Sequence, residues 1–454
     1  MQPVVTPEEM AAIDAAAPVP VEVLIERAGR AVARAALEMM GGAYGARVVV
    51  IAGKGNNGND GRAAARALRR RGCVVTVCDA KAPDLGRHRP DLIIDAAYGT
   101  GFRGTWEPPD PDGVPVLAVD IPSGVDGLTG RAEGAVMPAT RTVVLVAAKP
   151  GLLLMPGREL AGEQILVDIG LPVERSSTFL VEAADVARWV PSRRPDDHKW
   201  RAAVWIAAGS PGMTGAARLC ALAAQRTGAG MVRLGVPDVD PSVVAPIEVV
   251  GRSLPASGWA APVLSDLDRF HALVVGPGLG RSDPTCDAVR RVVTSAPVPV
   301  VVDGDGLVAL AWSSQGPAGV LRARSHATVL TPHDGEFAVL SGHRIGPDRI
   351  DAVRRLARDL HCVVLLKGPT TIVADERGRV LLVTAGDSRL ATAGTGDVVS
   401  GIIGARVSRG VAAFEAAACG AWLHARAAVA GPQTGLIASD LPDLIPTALA
   451  ELSR

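Results

Sequence analysis

The segment RVVVIAGKGNNGNDGRAAARALRRR, residues 47–71, joins a run of apolar residues to a helical pattern through a hinge rich in glycine and asparagine. Short apolar runs alternate with helical patterns along the whole chain, which is typical of strand–helix–strand units and a parallel sheet. Glycine lets a ligand approach the backbone closely, and a helix N-terminus offers free N–H groups to an anion such as phosphate. The segment predicts an α/β fold with a ligand site at the hinge; the alternative is a tight turn that needs small residues.

Composition sets the broad class of protein. The chain has 454 residues, of which 48% are hydrophobic and 21% charged, as expected for a globular protein of two or three domains. Its 47 Lys and Arg balance its 47 Asp and Glu, so a general attraction to nucleic acid or to an anionic membrane is not expected. Aromatic residues make up only 3% of the chain, which argues against stacking platforms for bases.

The cysteines and the N-terminus indicate the compartment. The six cysteines form no CxxC pair, and none lies near a histidine at zinc-ligand spacing. We expect buried small residues without a disulfide framework, which points to a reducing compartment. The first residues, MQPVVTPEEM, do not have the pattern of a signal peptide, and no run approaches the ~18 apolar residues of a membrane span. We therefore expect a cytoplasmic protein.

A polar stretch near residue 190 predicts a domain boundary. This stretch, VPSRRPDDHKW at 190–200, contains two prolines and interrupts the alternation, which restarts after it. It predicts one domain over 1–192 and a second over 193–454. In the first domain, strands are predicted at 47–53, 73–79, 91–99, 114–124 and 141–148, with a further edge strand at 163–170.

The hinge at 53–61 supplies side-chain oxygens as well as glycines. It has neither the Rossmann GxGxxG pattern nor the Walker pattern, and it is distinguished by Asn56, Asn57 and Asp60. Amide and carboxylate oxygens are hard donors, suited to an alkali or alkaline-earth cation.

Two other predicted strand ends carry matching chemistry. DAAYGTGFRG at 95–104 begins with Asp95, and VDIPSGVDGLTG at 119–130 contains Asp120 and Ser123. Because the carboxyl ends of parallel strands gather at one edge of a sheet, the three loops predict a joint site for phosphates and a cation. A single aspartate at a strand end is more often a helix cap or a turn residue.

Together the three segments resemble the epimerase domain of the NAD(P)H-hydrate repair enzymes, over roughly residues 1–190. Asn59 stands where that family has a glycine, and asparagine is among the few residues that tolerate left-handed geometry at such a turn. The resemblance implies that Asp120 contacts the substrate and acts as the base in epimerisation. It implies a potassium ion bound by Asn57, Asp95 and Ser123. It implies that the hydrated dinucleotide is bound by Asn56, Asn57, Gly58, Asn59, Asp60, Gly99, Thr100, Gly101, Phe102, Arg103, Gly104 and Thr105.

The strongest pattern in the second half is AGTGDVVSG at 393–401. Gly394, Thr395 and Gly396 open a predicted helix, so their N–H groups can form an anion hole, and Asp397 lies in its first turn. If a phosphoryl group is transferred there, Asp397 can accept the proton of the attacking hydroxyl. The alternative is a capped helix with a first-turn aspartate.

The surrounding segments resemble the ribokinase-like fold and, within it, NAD(P)HX dehydratase, over roughly residues 195–454. The resemblance is carried by GPGLG at 276–280, TPHDGE at 331–336, KGPTT at 367–371 and the pair AAGSPGMTGAA/GAGMV. It implies substrate contacts by Ala216, Gly278, His333 and Asp397. It implies nucleotide contacts by Lys367, Gly368, Pro369, Thr370, Thr371 and Gly396. Trp200 and the DGDGL segment at 303–307 depart from the family pattern without removing a proposed catalytic group.

The fold class that follows is α/β, with a Rossmann-like three-layer αβα domain before a ribokinase-like αβα domain. The resemblance implies a bifunctional repair enzyme that interconverts the R and S hydrates of NAD(P)H and dehydrates the S form with ADP or ATP. It implies K⁺ at the first site, Mg²⁺ with the nucleotide at the second, and a homo-oligomer. Phosphorylation of the C6 hydroxyl turns a poor leaving group into a good one, which explains a kinase-like fold in a lyase.

Two other functions remain open on the sequence alone. The first is a small-molecule kinase, for instance of a vitamin precursor, with a non-catalytic N-terminal half. The second is a binding or scaffold role for the first domain. A role in nucleic-acid binding is the weakest alternative because the chain is neutral and poor in aromatic residues.

Overall fold

The structure is a computed structural model that describes residues 1–173 and 176–452, and it divides into two compact units. The amino-terminal unit is Gln2–Thr178, and the carboxyl-terminal unit runs from Phe179 onward and includes Met1. The structural boundary, after Thr178, lies before the boundary that the polar stretch predicted after Ser192. The reason is that Val181 and Val186, on the intervening segment, are buried in the hydrophobic core of the carboxyl-terminal unit.

The amino-terminal unit is built on a parallel sheet in the order β3-β2-β4-β5-β6-β7. The predicted strand at 163–170 forms its edge, as β7. The inner strands β2, β4, β5 and β6 are buried almost throughout, so they read as continuous apolar runs rather than alternating ones. The edge strands β3 and β7 are partly exposed. The strands of this sheet are β2 (Arg47–Ala52), β3 (Val74–Asp79), β4 (Leu92–Ala96), β5 (Val116–Val119), β6 (Arg141–Leu145) and β7 (Glu163–Val167). The short strand β1 (Gln2–Val4) lies outside it.

Helices cover one face of this sheet, and the other face is covered largely by irregular segments around Trp106 and Met137. The first helix begins with a reciprocal capping box, in which the Glu9 amide donates to Thr6 Oγ1 (3.1 Å) and the Thr6 amide donates to Glu9 Oε2 (2.7 Å). The helices are α1 (Pro7–Ala15), α2 (Val21–Met40), α3 (Asn56–Arg70), α4 (Pro150–Leu153) and α5 (Gly157–Leu160).

The sheet of the carboxyl-terminal unit runs in the order β8-β17-β16-β15-β14-β13-β12-β9-β10-β11. Its strands are β8 (Thr178–Leu180), β9 (Ala203–Ala207), β10 (Met231–Pro237), β11 (Val250–Leu254), β12 (Ala272–Val275), β13 (Val300–Val302), β14 (Thr328–Leu330), β15 (Val363–Leu366), β16 (Thr371–Ala374) and β17 (Val380–Val383).

The alternating pattern predicted a parallel sheet, but part of this sheet is antiparallel. Strands β15, β16 and β17 pair antiparallel. The connection from β15 to β16 is only residues 367–370, and a parallel crossover needs a dozen residues or more. The predicted nucleotide-binding segment is therefore the turn of a hairpin.

Helices α7, α15, α16 and α17 pack against one another over the main core of this unit. The helices are α6 (Ala183–Trp189), α7 (Thr214–Arg226), α8 (Pro241–Val244), α9 (Ala260–Ser265), α10 (Asp283–Ser295), α11 (Asp305–Ala311), α12 (Gly316–Leu321), α13 (Asp334–Ser341), α14 (Arg349–Leu360), α15 (Thr395–Ser408), α16 (Ala413–Ala430) and α17 (Leu441–Glu451). Within the described chain, no helix is both long and apolar enough to cross a membrane. The α/β class predicted for both units is confirmed.

Candidate active sites

A cavity of about 880 Å³ lies at the carboxyl edge of the amino-terminal sheet. The hinge and the loop after β4 both line it, and Asp120, which follows β5, lies in its wall. Of the residues proposed to bind the dinucleotide, those in the wall are Asn56, Asn57, Asp60, Gly99, Thr100, Gly101, Phe102 and Asp120. Those outside it are Gly58, Asn59, Arg103, Gly104 and Thr105.

Two of the three proposed potassium ligands, Asn57 and Ser123, contact the backbone of Tyr98, and the third, Asp95, contacts Ser123. Asn57 Nδ2 donates to the Tyr98 carbonyl oxygen (2.8 Å), and Ser123 Oγ accepts from the Tyr98 amide (2.9 Å). Ser123 Oγ also donates to Asp95 Oδ1 (2.6 Å). Asp95 is fully buried, and burial raises its pKa.

One oxygen of this cluster has no partner. Asn57 Oδ1 is buried and accepts no hydrogen bond from the residues that the structure describes, whereas the amide nitrogen of the same side chain is satisfied. An unpaired buried acceptor is costly, and a cation is the ligand that would complete it beside a buried carboxylate. The donor set therefore fits a monovalent cation, although no group of three or more His, Cys, Asp or Glu able to hold a metal occurs among the described residues.

Asp120 is paired with a buried lysine that the sequence reasoning missed. Lys149 Nζ forms an ion pair with Asp120 Oδ1 and donates to the carbonyl oxygen of Leu145 (2.7 Å). The Leu145 amide donates to Asp120 Oδ1 (3.1 Å), so the carboxylate is fixed by β6. Asp120 has a φ of 67°, a left-handed conformation that non-glycine residues rarely adopt. The contacts with Lys149 and the Leu145 amide hold the carboxylate in the wall of the cavity.

Two further aspartates face Asp120 across the cavity. Burial raises the pKa of Asp60 to about 8, and the negative charges of Asp120 and Asp14 add to the effect. Burial also raises the pKa of Asp14, with a contribution from Asp120 that Lys149 partly opposes. Asp14 was not predicted, because a lone aspartate near the end of a helix gives no signal in the sequence.

Asn59 does not need the left-handed geometry that asparagine tolerates. Asn59 lies in the first turn of α3 with its amide bonded to the Gly55 carbonyl oxygen (3.1 Å), and its φ is not positive. The steric demand falls instead on Gly58, where a Cβ atom would lie 2.0 Å from the Gly53 carbonyl oxygen. An asparagine at 59 is accommodated because this position is an ordinary helical one.

In the carboxyl-terminal unit, Asp397 lies in the first turn of α15, as predicted. Gly394 is the N-cap of this helix with a φ of 89°, and the Asp397 amide donates to its carbonyl oxygen (3.2 Å). Burial and the nearby Asp303 carboxylate raise the pKa of Asp397 to about 7, although Lys367 opposes the shift. A carboxylate with this pKa is suited to accept a proton near neutral pH.

Lys367 is the centre of an ion network beside Asp397. Its Nζ donates to Asp303 Oδ1 (2.7 Å) and lies 3.5 Å from Glu336 Oε2. Ser400 Oγ, one turn into α15, donates to Asp303 Oδ2 (2.8 Å). Neither Asp303, Glu336 nor Ser400 was assigned a role from the sequence. The network joins the ends of β13 and β15 to α13 and α15.

The other residues predicted in this unit lie in three places. Gly396 lies beside Lys367, since a Cβ atom on it would be 3.4 Å from Lys367 Nζ. Ala216 contacts Gly278, where a Cβ atom would lie 2.9 Å from the Ala216 Cβ. The remaining nucleotide-binding candidates occupy the hairpin turn and the start of β16: Gly368, Pro369, Thr370 and Thr371.

His333 caps a helix and stays exposed at its imidazole. Its Nδ1 accepts from the amides of Gly335 (3.0 Å) and Glu336 (3.3 Å), so it is the N-cap of α13. Its Nε2 lies 3.5 Å from Glu336 Oε2, which also approaches Lys367. His333 is thus joined to the network around Lys367 through Glu336.

The two departures from the family pattern have structural explanations. The guanidinium carbon of Arg269 lies over the Trp200 ring, 3.7 Å from the ring centroid, and the Trp200 ring packs edge-on against Phe270. Gly304 in the DGDGL segment has φ 55° and ψ −125°, which only glycine adopts readily. The preceding Asp303 keeps its buried position in the network.

His424 is a buried histidine of α16 whose Nε2 has no hydrogen-bond partner. Burial lowers its pKa to about 4, and the positive charge of Lys367 contributes. The unfolded chain binds this proton below about pH 6.5, whereas the folded chain binds it only below about pH 4. The contribution of the neutral His424 to folding stability is therefore fully present above pH 6.5 and is lost as the pH falls toward 4.

Between pH 6.5 and pH 4, we expect the free energy of unfolding to fall by about 3 kcal/mol less in the His424→Gln variant than in the wild-type protein. The measurement is the unfolding free energy of both proteins by urea denaturation across that range. A constant difference between them at every pH would contradict the prediction. His326, an exposed histidine bonded to Ser325, provides the control as His326→Gln.

Comparisons with known proteins cover both units. The family model for NAD(P)H-hydrate dehydratase matches residues 204–449, and the model for the YjeF-related protein N-terminus matches residues 21–87 and 79–151. The bifunctional NAD(P)H-hydrate repair enzyme of Mycobacterium leprae is 38% identical to this chain, over 96% of each. That of Moorella thermoacetica is 34% identical, over 99% of this chain and 97% of the relative.

Solved structures match the carboxyl-terminal unit. The ADP/ATP-dependent NAD(P)H-hydrate dehydratase from Bacillus subtilis, co-crystallised with ATP and Mg²⁺, has a TM-score of 0.52 at 26% identity and covers 60% of this chain and 97% of its own. A ribokinase-like superfamily protein from Enterococcus faecalis, at 18% identity and a TM-score of 0.54 over 62% of this chain and 98% of its own, shows the fold alone. The ribokinase-like fold predicted for this unit is confirmed. With both family models matched and full-length relatives above 30% identity, the chain belongs to the family of bifunctional NAD(P)H-hydrate repair enzymes.

Proposed function

We propose that the chain repairs hydrated NADH and NADPH: its amino-terminal unit interconverts the R and S hydrates, and its carboxyl-terminal unit dehydrates the S form with ADP or ATP. The observation that carries the proposal is that each unit holds an aspartate beside a helix N-terminus whose free N–H groups can bind an anion. Asp120 lies in the cavity wall with the N-terminus of α3, and Asp397 lies in the first turn of α15.

Epimerisation requires the C6 hydroxyl to leave one face of the ring and water to add to the other. The lone pair of N1 assists breakage of the C6–O bond, the departing hydroxyl takes up a proton from solvent and leaves as water, and the incoming water must lose a proton. Asp120 accepts that proton, because Lys149 and the Leu145 amide hold its carboxylate in place. The pyrophosphate of the substrate binds at the N-terminus of α3, next to Asn56 and Asn57.

Asn57, Asp95 and Ser123 would hold a potassium ion, with the unpaired Asn57 Oδ1 as one ligand. Such an ion supplies positive charge that favours a bound, electron-rich substrate and offsets the buried Asp95 carboxylate. Residues of the protein supply the other two roles: the hinge positions the pyrophosphate, and Asp120 accepts the proton.

We expect exchange of potassium for choline chloride at constant ionic strength to lower the epimerisation rate by roughly tenfold or more. Dehydration of the S hydrate in the same buffer is the internal control for salt effects on the whole chain. The Asn57→Leu variant should be slow in both salts, because it lacks the free oxygen. An epimerisation rate that is equal in the two salts would rule out a cation at this cluster.

Dehydration begins with phosphoryl transfer to the C6 hydroxyl. Asp397 accepts the hydroxyl proton while the oxygen attacks the terminal phosphorus of the nucleotide. The bond from that phosphorus to its bridging oxygen breaks, and the nucleotide leaves with one phosphate fewer. The N-terminus of α15 stabilises the developing charge. Phosphate then leaves C6 with the bonding electrons, a proton leaves C5, and the double bond of the reduced ring is restored. Lys367 and Gly396 bind the nucleotide phosphates, and Mg²⁺ bound with the nucleotide would neutralise part of their charge. Asp303 and Glu336 position Lys367 for this contact.

The test supplies each purified hydrate separately, with and without ADP or ATP, and follows recovery of reduced-nicotinamide absorbance at 340 nm. We expect recovery from the S hydrate only with nucleotide, and recovery from the R hydrate faster than spontaneous epimerisation permits. A stable phosphorylated product without recovery would instead favour a small-molecule kinase. Recovery from R limited to the spontaneous rate would favour a binding role for the amino-terminal unit.

A further inference from the structure

The cavity of the amino-terminal unit extends beyond the hinge to the end of strand β3. Asp79, Ala80 and Lys81 line it, together with the residues of the hinge. Asp79 is the last residue of β3 and pairs in register with Ala52, the last residue of β2. The Ala80 amide approaches the Ala52 carbonyl oxygen (3.4 Å). The end of β3 therefore lies directly beside the glycine-rich hinge.

The strand order places the parts of an extended dinucleotide. Because the sheet runs β3-β2-β4-β5, Asp120 after β5 and Asp79 at β3 lie on opposite sides of the hinge. If the pyrophosphate binds at the hinge and the reacting ring lies at Asp120, the second nucleoside extends toward Asp79. In parallel sheets that bind dinucleotides, an acidic residue about 20 positions after the hinge accepts the 2′-hydroxyl of the adenosine ribose.

The carboxylate of Asp79 is held in a defined orientation. Its Oδ1 accepts the Lys81 backbone amide (2.8 Å), an Asx-type contact that fixes the side chain over the turn. Its Oδ2 is left to accept a ribose hydroxyl. A 2′-phosphate at the same place would put a dianion against this carboxylate, and the exposed Lys81 and Lys54 side chains offset that repulsion only in part.

We propose that Asp79 accepts a hydrogen bond from the 2′-hydroxyl of the adenosine ribose. This contact makes the epimerase site favour the hydrate of NADH over that of NADPH. The inference rests on the proposed epimerase function and concerns the amino-terminal unit alone. Since the ribose is remote from C6, the contact acts equally on the ground state and the transition state. Its effect is therefore expected in KM, with kcat little changed.

The experiment uses the full chain without nucleotide, so that dehydration does not occur, and follows conversion of R to S hydrate by chromatography. We expect kcat/KM to be at least tenfold higher for the hydrate of NADH in the wild-type protein. In Asp79→Ser this ratio should fall to threefold or less, mainly through a lower KM for the hydrate of NADPH. Asp84→Ser, a loop aspartate outside the cavity wall, should keep the wild-type ratio.

The other possible results of this experiment contradict either the inference or the proposed function. Equal kcat/KM values for both hydrates in the wild-type protein, or an unchanged ratio in Asp79→Ser, would overturn the inference. Asp79→Asn keeps the shape of the side chain and removes the charge, so it decides the matter if the serine variant does not fold. Conversion of neither hydrate by the wild-type protein would contradict the proposed function itself, which is thereby distinguished from a failure of the inference.

Discussion

Replacement of Asp397 by asparagine is expected to lower recovery of NAD(P)H from both hydrates by roughly 10²–10⁴-fold. Both hydrates pass through dehydration, and the asparagine amide cannot accept the proton of the C6 hydroxyl. The loss should appear in kcat, because proton transfer occurs in the transition state. The measurement is the steady-state rate at 340 nm with saturating nucleotide and S hydrate.

Asp443 provides a matched control for Asp397. It also lies in the first turn of a helix, α17, but it is exposed and pairs with Arg226 at 2.6 Å. Asp443→Asn should keep wild-type activity, since an exposed ion pair contributes little. Wild-type turnover in Asp397→Asn would show that another group takes the proton.

Stability gives a second readout for the same variant. The folded-state pKa of Asp397, about 7, lies above its ordinary value of 3.8, so the folded chain binds the proton more tightly than the unfolded chain does. Its contribution to stability is present below pH 3.8 and is lost as the pH rises to about 7. Asp397→Asn removes this loss, so it should unfold at pH 8 no more easily than the wild-type protein. The rate of dehydration should in turn fall as the pH drops below about 7.

The Asp120→Asn variant is expected to slow conversion of the R hydrate to its spontaneous rate and to leave dehydration of the S hydrate unchanged. The reason is that Asp120 moves a proton only in the amino-terminal unit. The loss expected from removal of a positioned base is roughly 10²–10⁴-fold. The measurement compares recovery at 340 nm from each hydrate with ADP or ATP present.

This variant also leaves the buried Lys149 ammonium without its carboxylate. Breaking a buried ion pair by removal of one partner costs roughly 3–5 kcal/mol, so lower stability is expected for the single variant. The Asp120→Asn/Lys149→Met double variant removes both charges and should regain stability without regaining epimerisation. If the double variant epimerises the R hydrate at the wild-type rate, Asp120 is not the base.

Much of the local structure follows from the sequence because it depends on neighbours along the chain. The capping box at Thr6 and Glu9 needs only a spacing of three residues. The glycines at 53–61 and 394–396 mark strand-to-helix or loop-to-helix transitions whose N–H groups are free by helix geometry. The carboxyl ends of parallel strands meet at one edge, so the sequence also predicted that the hinge, the loop after β4 and Asp120 lie together.

The tertiary structure decided the partners that act on each proposed base. Lys149 lies 29 positions after Asp120, and Lys367 lies 64 positions after Asp303, so no local pattern pairs them. Their meeting depends on strand order and register, which fix which residues lie side by side at the sheet edge. The raised pKa of Asp397 and the free oxygen of Asn57 arise from burial, and burial is a property of the packed chain alone.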